Sequence, residues 1–339
     1  MPMNRNLLRW ILAALMALTL VLTLSCPYLA YAEGSLPLDY TEGGKPPKDG
    51  GWTFDEDGYP LSYTDSTIQV SFEHAPYAHV LSAGPNQGSK AKNDEYWVVR
   101  IRISDASQLR TAVTKDNYKN KDQINAEILA GSKNAVVAMN GDFCKYENDV
   151  GYLVRQGEVV RDATGNARGQ IFDMLLIDSA GDFHVVDEAV TETIEAYIGE
   201  NLTPNGLTVM DTFNIGPVLV RNGVAVDVSQ STMTRMKSNY QWTSCIERIA
   251  VVQTGKLEYA IVTVGTKSKT SGLTMQEFAE FVAEKCPDAI LAYNLDGGGS
   301  ANLTGTRQKR NGTLYHDRLN RNNDLRPITD ILYFASAED

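Results

Sequence analysis

The sequence predicts a strand-rich α+β fold, a single mixed α/β domain with a central sheet and several hairpins. Short stretches that alternate apolar and polar residues recur along the chain, and the clearest is at residues 96–103. Pairs of such stretches flank glycine-containing turns, as at Asn222-Gly223, where both residues tolerate the positive φ of a tight hairpin. Helical spacing is confined to a few segments, which favours this class over a doubly wound sheet.

Three strands and two helices are predicted in the first half of the chain. Residues 67–72 and 96–103 alternate with a period of two, and residues 134–139 are apolar throughout, as in a short buried strand. A serine or aspartate cap predicts a helix at residues 104–114. A second helix is predicted at residues 122–130, where a glycine closes it.

The second half is predicted to hold three hairpins and a strand–helix–strand segment. The hairpins pair residues 152–155 with 158–161, 174–178 with 183–186, and 218–221 with 224–228. Thr274 and Glu277 form a capping-box pattern, in which each side chain satisfies a backbone N–H at a helix start. The remaining strands are predicted at residues 248–252, 259–264, 290–293 and 331–334.

The N-terminus has the layout of a secretory signal peptide. Arg5 and Arg9 precede an uncharged apolar run at residues 10–24, and an Ala-Tyr-Ala sequence at residues 30–32 matches a small-residue cleavage site. We therefore expect residues 1–32 to direct export, either as a cleaved signal or as an uncleaved anchor. The protein is then secreted or held at the extracytoplasmic face of the membrane.

A linker is predicted between the signal and the domain. Residues 33–60 combine Gly-Gly and Pro-Pro pairs with scattered charges, a composition typical of flexible chain. Residues 61–339 are left as the domain. Three cysteines follow the signal, and a bridge between Cys245 and Cys286 is one pairing that export would permit.

The net charge narrows the range of partners. It is −11 at neutral pH, whereas nucleic acids and anionic membrane surfaces are bound through basic patches. We expect no nucleic-acid partner, and a membrane contact only through residues 10–24. The sequence also carries three Asn-x-Ser/Thr patterns for glycosylation, at Asn201, Asn302 and Asn311.

Two predicted strands end in an asparagine that an aspartate soon follows. One leads into Asn140-Gly141-Asp142, and the other into Asn294-Leu295-Asp296, which Gly297-Gly298-Gly299-Ser300 follows. Consecutive glycines are costly to order, and that cost is tolerated where the backbone must approach another group closely. Each strand end alone is compatible with a simple turn. Two of them in one domain favour a functional site, because a rigid strand holds polar residues in place at its accessible end.

Two further elements accompany these strand ends. Gly216-Pro217 enters the strand at residues 218–221, and Arg248 begins the apolar run at residues 249–252. An arginine beside a core strand has two interpretations. It is a structural ion-pair partner, or its planar guanidinium binds an anion such as phosphate or carboxylate at two points.

The order of these motifs resembles that of the phosphodiester glycosidase family. Asn140-Gly141-Asp142-Phe143, Gly216-Pro217, Arg248-Ile249-Ala250-Val251 and the block at residues 294–300 follow one another as in that family, and the resemblance runs from about Tyr63 to Phe334. It implies hydrolysis of a sugar joined through its anomeric carbon to a phosphodiester. Many relatives have threonine where this chain has Ile249, which removes a hydroxyl next to Arg248.

The resemblance also implies roles for the site residues. Asp296 is expected to be the main catalytic carboxylate, as base or nucleophile, with Asp142 assisting it or orienting the sugar. Arg248 and the glycine amides are expected to hold the phosphoryl oxygens, since such donors stabilise charge on a leaving phosphate. The candidate substrate-binding residues are Asn140, Gly141, Gly216, Asn294, Gly297, Gly298, Gly299 and Ser300.

No cofactor is expected, and the substrate class is a phosphorylated glycan or sugar phosphodiester, as in exopolysaccharides. A divalent cation held by Asp142 and Asp296 is an alternative role for the two carboxylates. A non-catalytic cell-envelope protein that binds a glycan or phosphate polymer is the alternative function. His316 lies in a polar segment and is interpreted as a solvated loop histidine without a role.

Overall fold

A computed structural model describes residues 36–84, 86–91, 93–116, 122–141, 152–161, 172–230, 243–266, 271–320 and 326–339. Within these ranges the chain is rich in strands and has few helices, which confirms the α+β class. The predicted signal peptide lies outside them. No helix in the described part of the chain is long and apolar enough to cross a membrane.

The bounds of the elements are as follows. The strands are β1 (Trp52–Phe54), β2 (Pro60–Thr64), β3 (Ile68–Pro76), β4 (Glu95–Ile103), β5 (Leu109–Val113), β6 (Ala135–Asn140), β7 (Leu153–Arg155), β8 (Glu158–Arg161), β9 (Phe172–Asp178), β10 (Phe183–Ala189), β11 (Val209–Phe213), β12 (Val218–Arg221), β13 (Val224–Ala225), β14 (Arg248–Gly255), β15 (Glu258–Val264), β16 (Leu291–Asn294), β17 (Leu303–Gln308), β18 (Leu314–Arg318) and β19 (Asp330–Ala335). The helices are α1 (Ala126–Ser132), α2 (Thr191–Tyr197) and α3 (Met275–Lys285).

Two large antiparallel sheets organise the described residues. The first has nine strands in the order β1-β2-β3-β4-β15-β14-β16-β12-β13, and the second has five in the order β18-β17-β6-β19-β5. A three-stranded sheet, β10-β9-β11, and the β7-β8 hairpin complete the fold. Consecutive strands are often neighbours, so the sheets are built largely from hairpins and short connections.

The core lies between the two large sheets. Along β4 the side chains of Trp97, Val99 and Ile101 join this central core, whereas Val98 points to the opposite face of the sheet. That opposite face packs against α3, and α1 covers the outer face of the five-stranded sheet through Leu129 and small residues. The period-two alternation at residues 99–103 marks the core-facing side of β4, because Arg100 and Arg102 lie on the opposite, more exposed face.

Most predicted strands are confirmed to within a few residues, and so are the three hairpins and the capping box of α3. The predicted helix at residues 104–114 is wrong. Asp105 caps only one 3-10 turn, and the chain continues as β5, in which every residue is buried. Pairing with β19 overrides the local cap signal, because burial on both faces contributes more than one satisfied N–H. The second predicted helix is α1, which begins later, at Ala126, and includes Gly131.

The segment interpreted as a flexible linker is packed over its described part, residues 36–60. Leu38 is buried, and β1 begins at Trp52. The guanidinium of Arg110, itself wholly buried, donates hydrogen bonds at 2.7 Å to the carbonyl oxygens of Asp39 and Glu42. The prediction of a flexible linker is therefore wrong for these residues. The segment has few apolar side chains, and the buried Arg110 helps to hold its backbone against the domain.

We expect the substitution Arg110→Met to lower the free energy of unfolding by about 2–4 kcal/mol, because four oxygen acceptors lose their donor. Chemical denaturation measures the change. Arg102→Met is the control: Arg102 forms an exposed ion pair with Glu258, and its loss is expected to cost about 0.5 kcal/mol or less. Equal costs for the two variants would contradict a structural role for the Arg110 contacts.

Candidate functional site

The glycine-rich block is the crossover between the two large sheets. It leaves β16 in the nine-stranded sheet and delivers the chain to β17 in the five-stranded sheet. On the way, Leu295 N–H donates to the Ile249 carbonyl at 3.0 Å and Gly298 N–H donates to the Glu247 carbonyl at 2.9 Å. A Cβ at Gly297 would lie 2.6 Å from the same Glu247 oxygen. The loop therefore needs glycine to lie directly on the backbone that precedes β14.

Asn140 joins the second strand end to this loop. Its Nδ2 donates to the Asp296 carbonyl at 3.0 Å, and its Oδ1 accepts from Asn302 N–H at 3.0 Å. The side chain is buried, so neither group is shared with solvent. The structure thus brings the two Asn–Asp strand ends together. Asn140 thereby positions the loop, and its predicted contact with a substrate stays a prediction.

Asn294 has a similar task on the other side of the loop. Its Nδ2 donates to the Gly216 carbonyl at 2.7 Å, and its backbone N–H donates to the Pro217 carbonyl at 3.1 Å. The Gly-Pro element is therefore a direct neighbour of the loop. Two buried oxygens, Asn294 Oδ1 and Ser300 Oγ, have no hydrogen-bond partner among the described residues, so they retain capacity for a ligand or water.

Arg248 supplies a buried positive charge beside the loop. Nε donates to the Leu273 carbonyl at 2.9 Å, and Nη2 donates to the Ser244 carbonyl at 3.0 Å. Burial lowers the pKa of the guanidinium to about 9, while the charges of nearby groups, Asp296 among them, act to raise it. Arg248 is therefore cationic at neutral pH, and the two residues that flank it, Glu247 and Ile249, accept hydrogen bonds from the loop that carries Asp296.

The backbone N–H groups of the three loop glycines differ in whether they are free to bind a ligand. Gly298 N–H is engaged by the Glu247 carbonyl, which argues against its predicted contact with a phosphoryl oxygen. The N–H groups of Gly297 and Gly299 donate no hydrogen bond to another described residue, so these two remain candidates. Gly299 instead uses its carbonyl, which accepts from Arg326 N–H at 3.0 Å.

Asp142 lies outside the described residues, so its predicted role stays a prediction. The same holds for a divalent cation between Asp142 and Asp296. Within the described ranges, no group of three or more His, Cys, Asp or Glu side chains is arranged to hold a metal ion.

The sequence did not reveal a buried ion pair next to this site. Arg155 Nη2 donates to Asp330 Oδ2 at 2.8 Å, and both side chains are at least nine-tenths buried. Gly141 lies against the pair: its N–H donates to the Asp330 carbonyl at 2.9 Å, and a Cβ at Gly141 would lie 2.5 Å from Oδ2. Gly141 is thus required for packing. Arg155 and Asp330 carry no local motif: the pairing of β6 with β19 places Asp330 next to Gly141, and Arg155 reaches it from the end of β7.

Three smaller expectations are corrected. His316 belongs to β18, where its Nε2 lies 3.0 Å from Thr304 Oγ1, and burial lowers its pKa to about 4, so it is neutral and not a solvated loop residue. Asn302 is buried and its Nδ2 donates to the Ser300 carbonyl at 2.8 Å, which leaves no room for a glycan. Cys245 and Cys286 are free thiols.

Comparison with known proteins identifies the family. The model for phosphodiester glycosidases matches residues 133–335, more than half of the 339-residue chain. The chain belongs to the phosphodiester glycosidase family. The match includes β6 through β19, and with them Asn140, Arg248 and the crossover loop. It confirms the resemblance that the motif order indicates.

A solved structure of a phosphodiester glycosidase shares the fold of this chain, and two others align with it more weakly. The catalytic domain of zebrafish N-acetylglucosamine-1-phosphodiester alpha-N-acetylglucosaminidase, auto-inhibited by its pro-peptide, is similar at 16% identity with a TM-score of 0.55, over 80% of this chain and 88% of that one. A hypothetical protein from Synechocystis aligns at 13% identity with a TM-score of 0.46, over 79% and 62%. A putative exported protein from Burkholderia pseudomallei K96243 aligns at 12% and 0.40, over 72% and 75%. A comparison with curated protein sequences finds no match.

We expect Gly297→Ala to destabilise the protein by about 1–3 kcal/mol, because the new methyl group overlaps the Glu247 carbonyl oxygen. Denaturant unfolding measures the effect. Gly50→Ala is the matched control, since a Cβ there meets nothing within 4 Å. If the two variants unfold at the same denaturant concentration, the close approach of the loop to the strand is not required.

Proposed function

We propose that this protein is an exported hydrolase that cleaves a sugar-1-phosphodiester linkage in a cell-surface or extracellular glycan. Membership in the phosphodiester glycosidase family supports a glycosidase-type activity. The observation that carries the proposal is the crossover loop, which carries Asp296 and donates hydrogen bonds to the carbonyls of Glu247 and Ile249, the two residues that flank the buried Arg248. A loop that brings a carboxylate to the strand entry of a buried cation suits a substrate that presents a sugar carbon and an anionic leaving group together.

The proposed reaction breaks the bond between the anomeric carbon and the bridging oxygen of the phosphodiester. Water supplies a hydroxyl to the anomeric carbon, and the departing oxygen stays on phosphorus as a phosphate monoester. A phosphate is a good leaving group without a proton, so the acid partner of ordinary glycosidases is less necessary. Charge stabilisation by Arg248 contributes on the leaving side.

Asp296 acts on the sugar side of that bond. It serves either as the base that activates water or as the nucleophile that forms a glycosyl intermediate. Its backbone is fixed by Asn140, and its side chain is about nine-tenths buried, which raises the strength of its interaction with Arg248. Gly297 and Gly299 amides are proposed to bind phosphoryl oxygens, and Ser300 and Asn294 Oδ1 to meet polar groups of the substrate or of a bridging water.

The compartment and the substrate class are parts of the same proposal. Residues 1–32 have the charge and hydropathy pattern of an export signal, and the acidic balance of the chain gives no footprint for nucleic acid. A phosphorylated glycan outside the membrane is the substrate that fits both features.

We expect Asp296→Asn to reduce kcat at least about 100-fold on a sugar-1-phosphodiester, because the amide neither accepts a proton nor attacks carbon. Release of reducing sugar and of phosphate monoester is measured, and thermal unfolding verifies the fold. Asp288→Asn is the control: that aspartate is exposed, pairs only with Arg100 in the described residues, and is expected to leave kcat unchanged.

Two outcomes would overturn parts of this assignment. Full activity in the Asp296→Asn variant would remove Asp296 from the catalytic role. If the wild-type protein binds sugar phosphodiesters but turns over none of a panel of linkages, the non-catalytic glycan-binding function replaces the enzyme.

A chelator tests the cation alternative in the same assay. With Asp296 and Arg248 sufficient for the chemistry, dialysis against EDTA is expected to leave kcat within about twofold of its starting value. A loss of activity that Mg²⁺ or Ca²⁺ restores would instead assign the carboxylates to a metal site.

A further inference from the structure

A buried carboxylate outside the candidate site holds the segment between β15 and α3. Asp94 precedes β4, and none of its side-chain surface is exposed. Oδ1 accepts from Thr266 N–H at 3.2 Å and from the Ser271 hydroxyl at 2.6 Å, and Oδ2 accepts from Gly272 N–H at 2.7 Å. Hydrogen bonds to an ionised acceptor are stronger than neutral ones. Asp94 therefore fixes both described ends of this segment, on either side of residues 267–270.

The far end of the segment is also fixed by His79 and by the backbone before β14. His79 Nε2 lies 3.0 Å from the Gly272 carbonyl oxygen, and since a carbonyl only accepts, Nε2 carries the hydrogen. Gly272 has a φ of +79°, and a Cβ there would lie 1.9 Å from the Ile246 carbonyl oxygen. The backbone at Gly272 is thus pressed against the strand entry with no room for a side chain.

This contact continues to the arginine of the candidate site. Leu273 N–H donates to the Ile246 carbonyl at 3.0 Å, and the Leu273 carbonyl accepts from Ile246 N–H at 3.3 Å. The same Leu273 carbonyl accepts from Arg248 Nε at 2.9 Å. A continuous series of hydrogen bonds and one peptide unit therefore leads from the Asp94 carboxylate through Gly272 and Leu273 to the guanidinium.

We propose that Asp94 is a positioning residue for Arg248. It holds the Leu273 carbonyl where that carbonyl orients the guanidinium for the phosphoryl group. The inference rests on the proposed function, in which Arg248 binds the anionic part of the substrate. Asp94 itself is too deeply buried to touch a ligand, so its effect on anion binding passes through the arginine.

Calorimetric titration of the purified protein with inorganic phosphate tests the proposal without requiring turnover. Asp94→Asn keeps the size of the side chain but removes its charge and places an N–H₂ group among donors. We expect the Kd for phosphate to rise about tenfold or more, as for loss of a positioned charge contact. In kinetic assays the same variant is expected to raise KM for the phosphodiester more than it lowers kcat.

Asp65→Asn is the matched control. Asp65 is also a loop-closing carboxylate, with Oδ1 accepting from Thr67 N–H at 2.7 Å and from Ile68 N–H at 2.9 Å. It lies at the turn between β2 and β3, where its hydrogen-bond partners in the described part of the chain are Tyr63, Thr67, Ile68 and Ser336. We expect it to lower the melting temperature as Asp94→Asn does and to leave the Kd for phosphate unchanged. Equal phosphate affinities in the two variants would refute positioning by Asp94.

Arg248→Met separates this inference from the proposed function. If this variant binds phosphate like the wild type, or if the wild type binds none, the anion site at Arg248 fails and the positioning role fails with it. If Arg248→Met loses phosphate but Asp94→Asn does not, only the positioning role fails. In the Arg248→Met background we expect Asp94→Asn to have no further effect, and an additive loss would show that Asp94 acts elsewhere.

Ser271→Ala keeps the test decisive if Asp94→Asn does not fold. It removes a single donor to Asp94. We expect a rise of about two- to fivefold in the Kd for phosphate, in keeping with the loss of one hydrogen bond. An unchanged Kd in this variant, with wild-type binding present, would overturn the proposal.

Discussion

The candidate site depends on the hydrogen bonds of one buried amide, that of Asn140. This side chain stands at the end of β6 and binds two points of the crossover loop, the Asp296 carbonyl and the Asn302 N–H. The loop is the passage of the chain from one large sheet to the other, and three glycines give it little stiffness of its own. Without a fixed partner on the five-stranded sheet, the position of Asp296 would follow the motion of the loop. The two hydrogen bonds of Asn140 therefore fix the backbone of the crossover loop at Asp296 and Asn302.

Burial determines the electrostatics of the same region. Arg248 is almost completely buried, and its guanidinium donates to the carbonyls of Leu273 and Ser244. Carbonyl dipoles stabilise a buried cation that has lost its contact with water. Arg155 is also buried, and its Nη2 donates to the Asp330 carboxylate at 2.8 Å. Both buried arginines therefore depend on fixed oxygen acceptors for the stabilisation that water gives an exposed cation.

Two glycines of the site, Gly297 and Gly141, are required for different steric reasons. Gly297 allows the loop to lie on the Glu247 carbonyl, and Gly141 leaves space for the Asp330 carboxylate. In both cases the constraint is a close approach from a segment distant in the sequence. Neither glycine is explained by the turn in which it stands. For this reason the sequence of these two glycine-containing motifs is compatible both with a simple turn and with a functional site.

The sequence alone determined most of the strands, because alternating and apolar runs reflect burial. It did not predict β1, β2, β5, β11, β17 or β18. It also determined the hairpin turns, the α3 cap and the family, whose motifs follow one another in a characteristic order along the chain.

The sequence-based prediction was wrong at residues 104–114, where a cap pattern predicted a helix and the pairing of β5 with β19 imposed a strand. It also missed the packing of residues 36–60, to which the buried Arg110 and the backbone hydrogen bonds of Gly44 and Lys45 contribute. Only the tertiary structure decided that Asn140 serves the loop, that Asp330 and Arg155 lie beside Gly141, and that Leu273 reaches Arg248. These contacts join residues that are far apart in the chain. A local sequence pattern does not predict them, because they depend on how the two sheets are positioned relative to each other.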